Sequence, residues 1–388
     1  MTCSAPAHPP GPGGPVPKFR VVDVIRKVTG ALLRDGPLSP GQCRLLQRIR
    51  VCRTPALGGE VLYCPDCDFE KEVFHSCRDR HCPNCQAQAQ DEWIARRSAS
   101  MLPVPHFHVV FTLPSELRGL ARRFPVAVYD LLLRTSGDVL VELGQARLKA
   151  QFGVTTVLHT WTRDLSFHVH AHCIVSAGGW DAAAGRFRRL AHNGYLFPAA
   201  RMRAMFRARF LRGLRGLVQQ GVVELPGKVG FAAFEATLPP KGKWVVFAQA
   251  PFGKFEHVLS YLGRYTHRVG ISDSRLLDVA EDDVTFATRD GKTCTLPHKE
   301  FTRRFLQHVL PDGFKKIRHY GLYASGSTQR NRALDALAEE GSGDGVEVGQ
   351  GAGEPGVSWS ERCCPDCKTR LVAAERFPRP TRMPWKPP

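Results

Sequence analysis

What this chain lacks narrows its class. No apolar run reaches the roughly 18 residues that a membrane-spanning helix needs. The first 17 residues carry six prolines and lack the apolar core of a signal peptide. Acidic residues are few beside basic ones, 36 Asp and Glu against 54 Lys and Arg, for a formal charge of +18. A disulfide framework is missing too. Of the 13 cysteines, five lie between Cys64 and Cys85 and three between Cys363 and Cys367, which is clustering of the metal-ligand kind. Together these features fit a cytoplasmic protein with no membrane span. The basic balance predicts a polyanionic partner, nucleic acid before any other.

What is present reads as an α+β chain. Residues 1–17 lack the composition to fold and are expected to be disordered. Helical periodicity runs from Lys18 to about Arg50, with Val21, Val24, Ile25 and Val28 on one face. Strands are expected at 106–113, 153–161, 166–176 and 243–250. Helices are expected over 115–150, in an arginine-rich stretch at 198–220, and over 254–267. A β-meander fits 271–297, and a Gly/Glu-rich linker fits 338–358.

Two knuckles, Cys64-Pro-Asp-Cys67 and Cys82-Pro-Asn-Cys85, stand 14 residues apart. A two-residue spacer lets both thiolates face one tetrahedral ion, so the pair predicts a structural zinc on Cys64, Cys67, Cys82 and Cys85. His75, Cys77 and His81 between them leave room for a second ion or a mixed shell. Arg78 and Arg80 lie in the same segment and suit contact with DNA. A third knuckle, Cys364-Pro-Asp-Cys367, has no evident partner pair and reads as half of another site or as a remnant.

His168, His170 and His172 alternate within one strand and so share a face. Neighbours on that face are roughly 6.7 Å apart, so an ion about 2.1 Å from each ring can bridge an adjacent pair but not all three. Periodicity cannot choose the pair. Tyr261 and Tyr265 fall at i and i+4 of a helix, with His257 one turn earlier and Arg264 and Arg268 beside them. By spacing alone such a tyrosine pair reads first as core packing. Beside a metal-competent strand, on a basic chain, the balance shifts toward a pair of nucleophiles for phosphate.

The segments RTPALGG, HSCRDRHCPNCQ, HVVFTLP, HVHAHCIVSAGG, YLGRYTHRVGISDSRL and FTRRFLQHVLPDGFKKIRHYG occur in this order. In them the chain resembles the rolling-circle, two-tyrosine transposases of insertion-sequence family ninety-one and its common-region relatives. These belong to the HUH (His-hydrophobe-His) endonucleases. The resemblance implies His170 and His172 as ligands of a catalytic Mg²⁺ or Mn²⁺, and Tyr261 and Tyr265 as nucleophiles. The third ligand is unassigned, with His257 and Gln249 as candidates. The implied fold is a ferredoxin-like antiparallel sheet preceded by a small zinc-binding domain. The implied division is helices at 18–51, zinc-binding domain at 52–92, catalytic domain at 93–270, β-rich extension at 271–330, and a flexible tail with its knuckle at 331–388. The implied substrate is single-stranded DNA at transposon ends, held partly by Arg264, Arg268, Arg78 and Arg80. Two rivals are a related HUH replication initiator or relaxase, and a non-catalytic zinc-ribbon DNA-binding protein.

Overall fold

A computed structural model describes residues 18–85, 100–190, 196–240, 243–252, 270–341, 364–367 and 369–378. Tyr261, Arg264, Tyr265 and Arg268, the disorder expected over 1–17 and most of the linker expected over 338–358 lie outside these residues. The described part is α+β with antiparallel sheets.

Helices Val21–Asp35 and Pro40–Val51 come first. The second is fixed at its start by a capping box, in which the Ser39 hydroxyl accepts from Gln42 N–H and Gln42 returns the bond to Ser39 N–H. Strands β1 (Gly59–Tyr63) and β2 (Glu70–Phe74) follow as a hairpin, then β3 (His106–Thr112). After helices Arg118–Arg123 and Pro125–Leu148 come β4 (Gln151–Trp161), β5 (Phe167–Asp181) and β6 (Arg186–Arg189). Helix Ala199–Gln219 leads on to β7 (Val245–Phe252). A meander of β8 (Leu276–Val279), β9 (Asp283–Ala287) and β10 (Thr293–Pro297) precedes helix His298–Leu306 and β11 (Ile317–Gly321). Helix Thr328–Gly341 and β12 (Val372–Phe377) complete the described chain.

The central sheet runs β11-β4-β5-β3-β7, with β6 paired to β5. One face is covered by helices Pro125–Leu148 and Ala199–Gln219, and it carries Phe107, Val109 and Phe111 of β3 with Val169, Ala171, Cys173 and Val175 of β5. Two glycines inside helix Pro125–Leu148 would each weaken it by about 1 kcal/mol relative to alanine. They stand where neighbours come close. A Cβ at Gly137 would sit 2.6 Å from the Tyr320 ring, and one at Gly144 would sit 2.7 Å from Phe152. The helix ends where Lys149 turns left-handed, at φ 52°.

The segment 271–330 divides between two cores. Ile271, Leu276, Val284, Phe286, Phe301 and Phe305 pack with Val21, Ile25, Leu45 and Ile49 of the first two helices, whereas β11 joins the central sheet beside β4. The tail expected to be flexible also takes part in structure, since β12 pairs antiparallel with β1 and makes a three-stranded sheet in the order β12-β1-β2. No described helix is long and apolar enough to cross a membrane.

Candidate metal centre

On β5 the odd-numbered residues 169–175 are buried under the helices, which turns His168, His170 and His172 to the opposite face. Strand register then decides their company. β4 pairs His159 with His170 and Val157 with His172, while β3 pairs Thr112 with His170 and Val110 with His172. His159, His170 and His172 gather so that one ring nitrogen of each lies within 4.8 Å of the others. An ion about 2.1 Å from each nitrogen would hold them roughly 3–3.5 Å apart, so the rings are assembled and need only draw in slightly. His168 stands outside the group, its ring centroid 5.2 Å from that of His170.

The sequence reading missed His159. A single histidine inside an apolar strand carries no local signal, and its place opposite His170 is set by the β4–β5 pairing. Gln249, a candidate third ligand, sits one layer further out. Its side-chain oxygen is 3.1 Å from His108 Nδ1, and His108 Nε2 is 2.8 Å from His172 Nδ1. His257, the other candidate, is outside the described residues.

These contacts fit a metal centre by their proton bookkeeping. The Gln249 oxygen can only accept, so His108 Nδ1 carries the proton and Nε2 is an acceptor. His172 Nδ1–H then donates to it, which puts the His172 proton on Nδ1 and not on Nε2. His170 Nδ1–H donates to His168 C=O at 3.0 Å, which likewise puts its proton on Nδ1. Second-neighbour bonds of this kind fix the tautomer and orientation of metal-bound imidazoles. Burial keeps the rings neutral. It pulls His170 and His108 down to about 4, and His172 well below its ordinary value, with further lowering of His172 by the adjacent histidines. Trp161 stacks on His159 with ring centroids 4.5 Å apart and closes one side of the cluster.

The cysteines do not form the single site expected from spacing. Cys82 and Cys85 join Cys52 and Cys77, while Cys64 and Cys67 join Cys364 and Cys367. In the first group Cys85 Sγ lies 3.6 Å from Cys52 Sγ and 3.7 Å from Cys77 Sγ. Thiolates about 2.3 Å from a tetrahedral ion are about 3.8 Å apart, so this is metal spacing, far beyond a disulfide. Cys52 arrives at the end of helix Pro40–Val51. The physical reason for the correction is that a Cys-x-x-Cys unit fixes only its own two ligands, and tertiary packing supplies the other two. His81 is occupied elsewhere, accepting from Leu310 N–H at 3.1 Å and facing Asp79 at 3.4 Å.

Of the arginines expected at DNA, Arg78 is exposed, with a left-handed φ of 53°. Arg80 donates to the carbonyls of Phe314 and Pro311 at 2.6 and 2.7 Å, binding the knuckle segment to that turn. The arginine-rich helix Ala199–Gln219 packs on the sheet face opposite the histidines through Met202, Phe206 and Phe210. Within it Arg207 and Arg215 both pair with Glu235, and Arg209 pairs with Glu142.

The described residues combine a strand-borne histidine cluster with two cysteine groups, each able to hold a metal ion, and similarity to known proteins gives the class. Residues 153–332 match a family described as "Putative transposase", of the two-tyrosine type, and residues 24–113 match the transposase zinc-binding domain of the IS91 type. The chain is similar to "Putative transposase y4qJ" of Sinorhizobium fredii (strain NBRC 101917 / NGR234), 39% identical over 316 residues that cover 78% of this chain and 79% of that one. It is also similar to the "Transposase for insertion sequence element IS801" of Pseudomonas savastanoi pv. phaseolicola, 27% identical over 326 residues, 76% of this chain and 73% of that one. No solved structure matches. The chain belongs to the IS91-type transposase family. Cys52, Cys77, Cys82 and Cys85 all fall within the zinc-binding match.

Proposed function

We propose that the protein nicks and rejoins single-stranded DNA at the ends of a mobile element, in rolling-circle transposition, with Tyr261 and Tyr265 as nucleophiles. The observation that carries this reading is the three-imidazole cluster of His159, His170 and His172, with His170 and His172 oriented by bonds to the His168 carbonyl and to His108. Chain order supports the fold that the reading needs. β3, a helical segment, β4, β5, helix Ala199–Gln219 and β7 make a β-α-β-β-α-β unit with sheet order β7-β3-β5-β4, the arrangement of a ferredoxin-like domain.

The ends of the segment that carries the tyrosines also support it. The chain enters at Phe252 of β7, which is level with His106 and hence with Ser176 of β5. It returns at Gly270, where a Cβ would lie 2.9 Å from Leu165, just before β5 begins. His170 and His172 lie between those two levels.

In the proposed chemistry a tyrosine oxygen attacks the scissile phosphorus. The bond between phosphorus and the 3′-oxygen of the upstream nucleotide breaks, the tyrosine proton is lost and that leaving 3′-oxygen gains one. The products are a 5′-phosphotyrosine and a free 3′-hydroxyl. The covalent link conserves the phosphodiester energy, so a 3′-hydroxyl of another strand can reverse the step without ATP. A divalent ion on His159, His170 and His172 would supply Lewis-acid stabilisation of charge on the phosphate oxygens. Of the two ions expected from the sequence, three imidazoles favour Mn²⁺ over the oxygen-loving Mg²⁺. The zinc-binding match and the cysteine clusters point to structural zinc.

The test is incubation of the full chain with single-stranded oligonucleotides from the element's ends and Mn²⁺, read as a covalent adduct on a denaturing gel. The adduct should form, should vanish with chelator, and should be absent from the Tyr261→Phe/Tyr265→Phe variant. An adduct that survives this double change overturns the nucleophile assignment.

A further inference from the structure

The knuckle at Cys364 and Cys367 lies beyond both family matches, which end at residues 113 and 332. We propose that it is half of a second structural zinc site, completed by Cys64 and Cys67, which joins the two ends of the chain into one zinc ribbon.

Sulfur geometry is the first support. Cys64 Sγ lies 3.4 Å from Cys367 Sγ, and Cys67 Sγ lies 3.4 Å from Cys364 Sγ and 3.7 Å from Cys367 Sγ. A tetrahedral tetrathiolate site has edges of about 3.8 Å, and a disulfide is close to 2 Å. The four sulfurs are therefore gathered for an ion and not for oxidation.

The backbone is the second support, and it is independent of the sulfurs. Both knuckles read Cys-Pro-Asp-Cys. Each closes the same turn, with Cys64 N–H donating to Phe69 C=O at 2.9 Å and Cys364 N–H donating to Thr369 C=O at 2.8 Å. The Thr369 hydroxyl donates to the Asp66 carboxylate and ties one knuckle to the other. β1 then receives β2 on one edge and β12 on the other, with Gly59 opposite both Phe74 and Phe377. A Cβ on Gly59 would lie 2.4 Å from Val73 C=O and 2.8 Å from the Phe377 ring. That position accepts only glycine because both neighbours are in place. Leu62 and Leu371 close a small apolar core around buried Cys64 and Cys364. The core has few other members, so the metal is what a ribbon of this size needs for stability.

Four thiolates with no open position select a soft, tetrahedral ion and leave it no catalytic role. The ion would clip residues some 300 apart in sequence, as Cys67 and Cys364 are. Exposure separates this site from the other. Cys367 is exposed, whereas Cys52 and Cys82 of the N-terminal group are fully buried, so a chelator should reach the ribbon metal first.

The experiment loads the full-length protein with Co²⁺ and counts thiolate-bound metal by the sulfur-to-cobalt charge-transfer band, to which the histidine cluster is silent. Two equivalents are expected in the wild type. Cys64→Ser/Cys67→Ser and Cys364→Ser/Cys367→Ser should each lose one equivalent, and the quadruple variant should lose no more than either double, because all four serines remove the same ion. The equivalent retained at Cys52, Cys77, Cys82 and Cys85 reports that the N-terminal domain has folded. Two equivalents remaining in Cys364→Ser/Cys367→Ser, or two lost in the quadruple variant, would overturn the proposal. The adduct assay bears on the histidine chemistry alone, so the two readings fail separately.

Discussion

β5 carries two different proteins on its two faces. Toward the helices it presents Val169, Ala171, Cys173 and Val175, all essentially dry. On the other side it presents His168, His170 and His172. The first face is bought with apolar area, at roughly 1.5–3 kcal/mol for each large side chain buried. The second buries imidazoles that must stay neutral and be held by bonds to His108 and the His168 carbonyl. The comparison teaches that one period-two strand separates stability from chemistry by parity. The small Ala171 between His170 and His172 shows the separation at its tightest. It pairs with Phe111 on one side and Leu158 on the other, both fully buried, so the core volume there is already filled by its neighbours.

Substitution on either face should therefore break a different property. The largest effect is expected at His159→Ala. Losing a ligand should lower adduct formation by more than about 100-fold, beyond what loss of an outer partner usually costs. The urea midpoint should hardly move, and unaltered adduct yield would remove His159 from the centre. Next comes Phe111→Ala on the dry face. Its ring lies 4.9 Å from that of Phe206 and is fully buried, so truncation should cost about 3–5 kcal/mol in chemical unfolding. Metal affinity in the fraction that remains folded should be unchanged.

Much of this division was legible before the structure. Alternation in His168–Ser176 fixed which residues share a face. What alternation could not supply was register. His159 becomes a neighbour of His170 only through the β4–β5 ladder, and no feature of residues 153–161 announces it. The same holds for the cysteines. Spacing joined Cys64 and Cys67 to Cys82 and Cys85, whereas folding joined them to Cys364 and Cys367. The overlooked signal was identity, since both knuckles of that group share the Pro-Asp spacer and the Cys82–Cys85 knuckle has Pro-Asn. The arginine-rich helix is a related case. Its span is readable from composition, but only the layer order places it on the sheet face opposite the histidines.

A smaller effect should follow from Gln249→Leu, which sharpens the comparison by leaving all three ligands in place. Without the amide oxygen, His108 is free to adopt the tautomer that protonates Nε2, and His172 then loses its acceptor. Metal affinity, measured by titration calorimetry, should fall by about 10–100-fold. Gln249→Glu should retain or tighten binding, because a carboxylate accepts from His108 at least as well. Equal loss in both variants would mean that Gln249 acts through packing.

The gentlest effect is absent at neutral pH and appears on acidification. His106 faces the same side as His108, with its Nε2 2.6 Å from the Tyr323 hydroxyl, and burial pulls it down to about 4. His308, bonded to Thr160 and the Leu165 carbonyl, is likewise pulled down to about 4 by burial. An unfolded histidine titrates near 6.5. Between those values the unfolded chain holds more protons than the folded one, so stability rises with pH across the window and is lost as pH falls from about 6.5 toward 4. Above about 6.5 neither group contributes to the slope. Urea midpoints for wild type and His106→Gln at pH 7.5 and pH 5 should show a smaller acid loss in the variant. The apolar substitution Phe111→Ala should shift both midpoints and leave their difference intact. If the acid loss is the same in His106→Gln and wild type, the acid sensitivity does not come from this histidine.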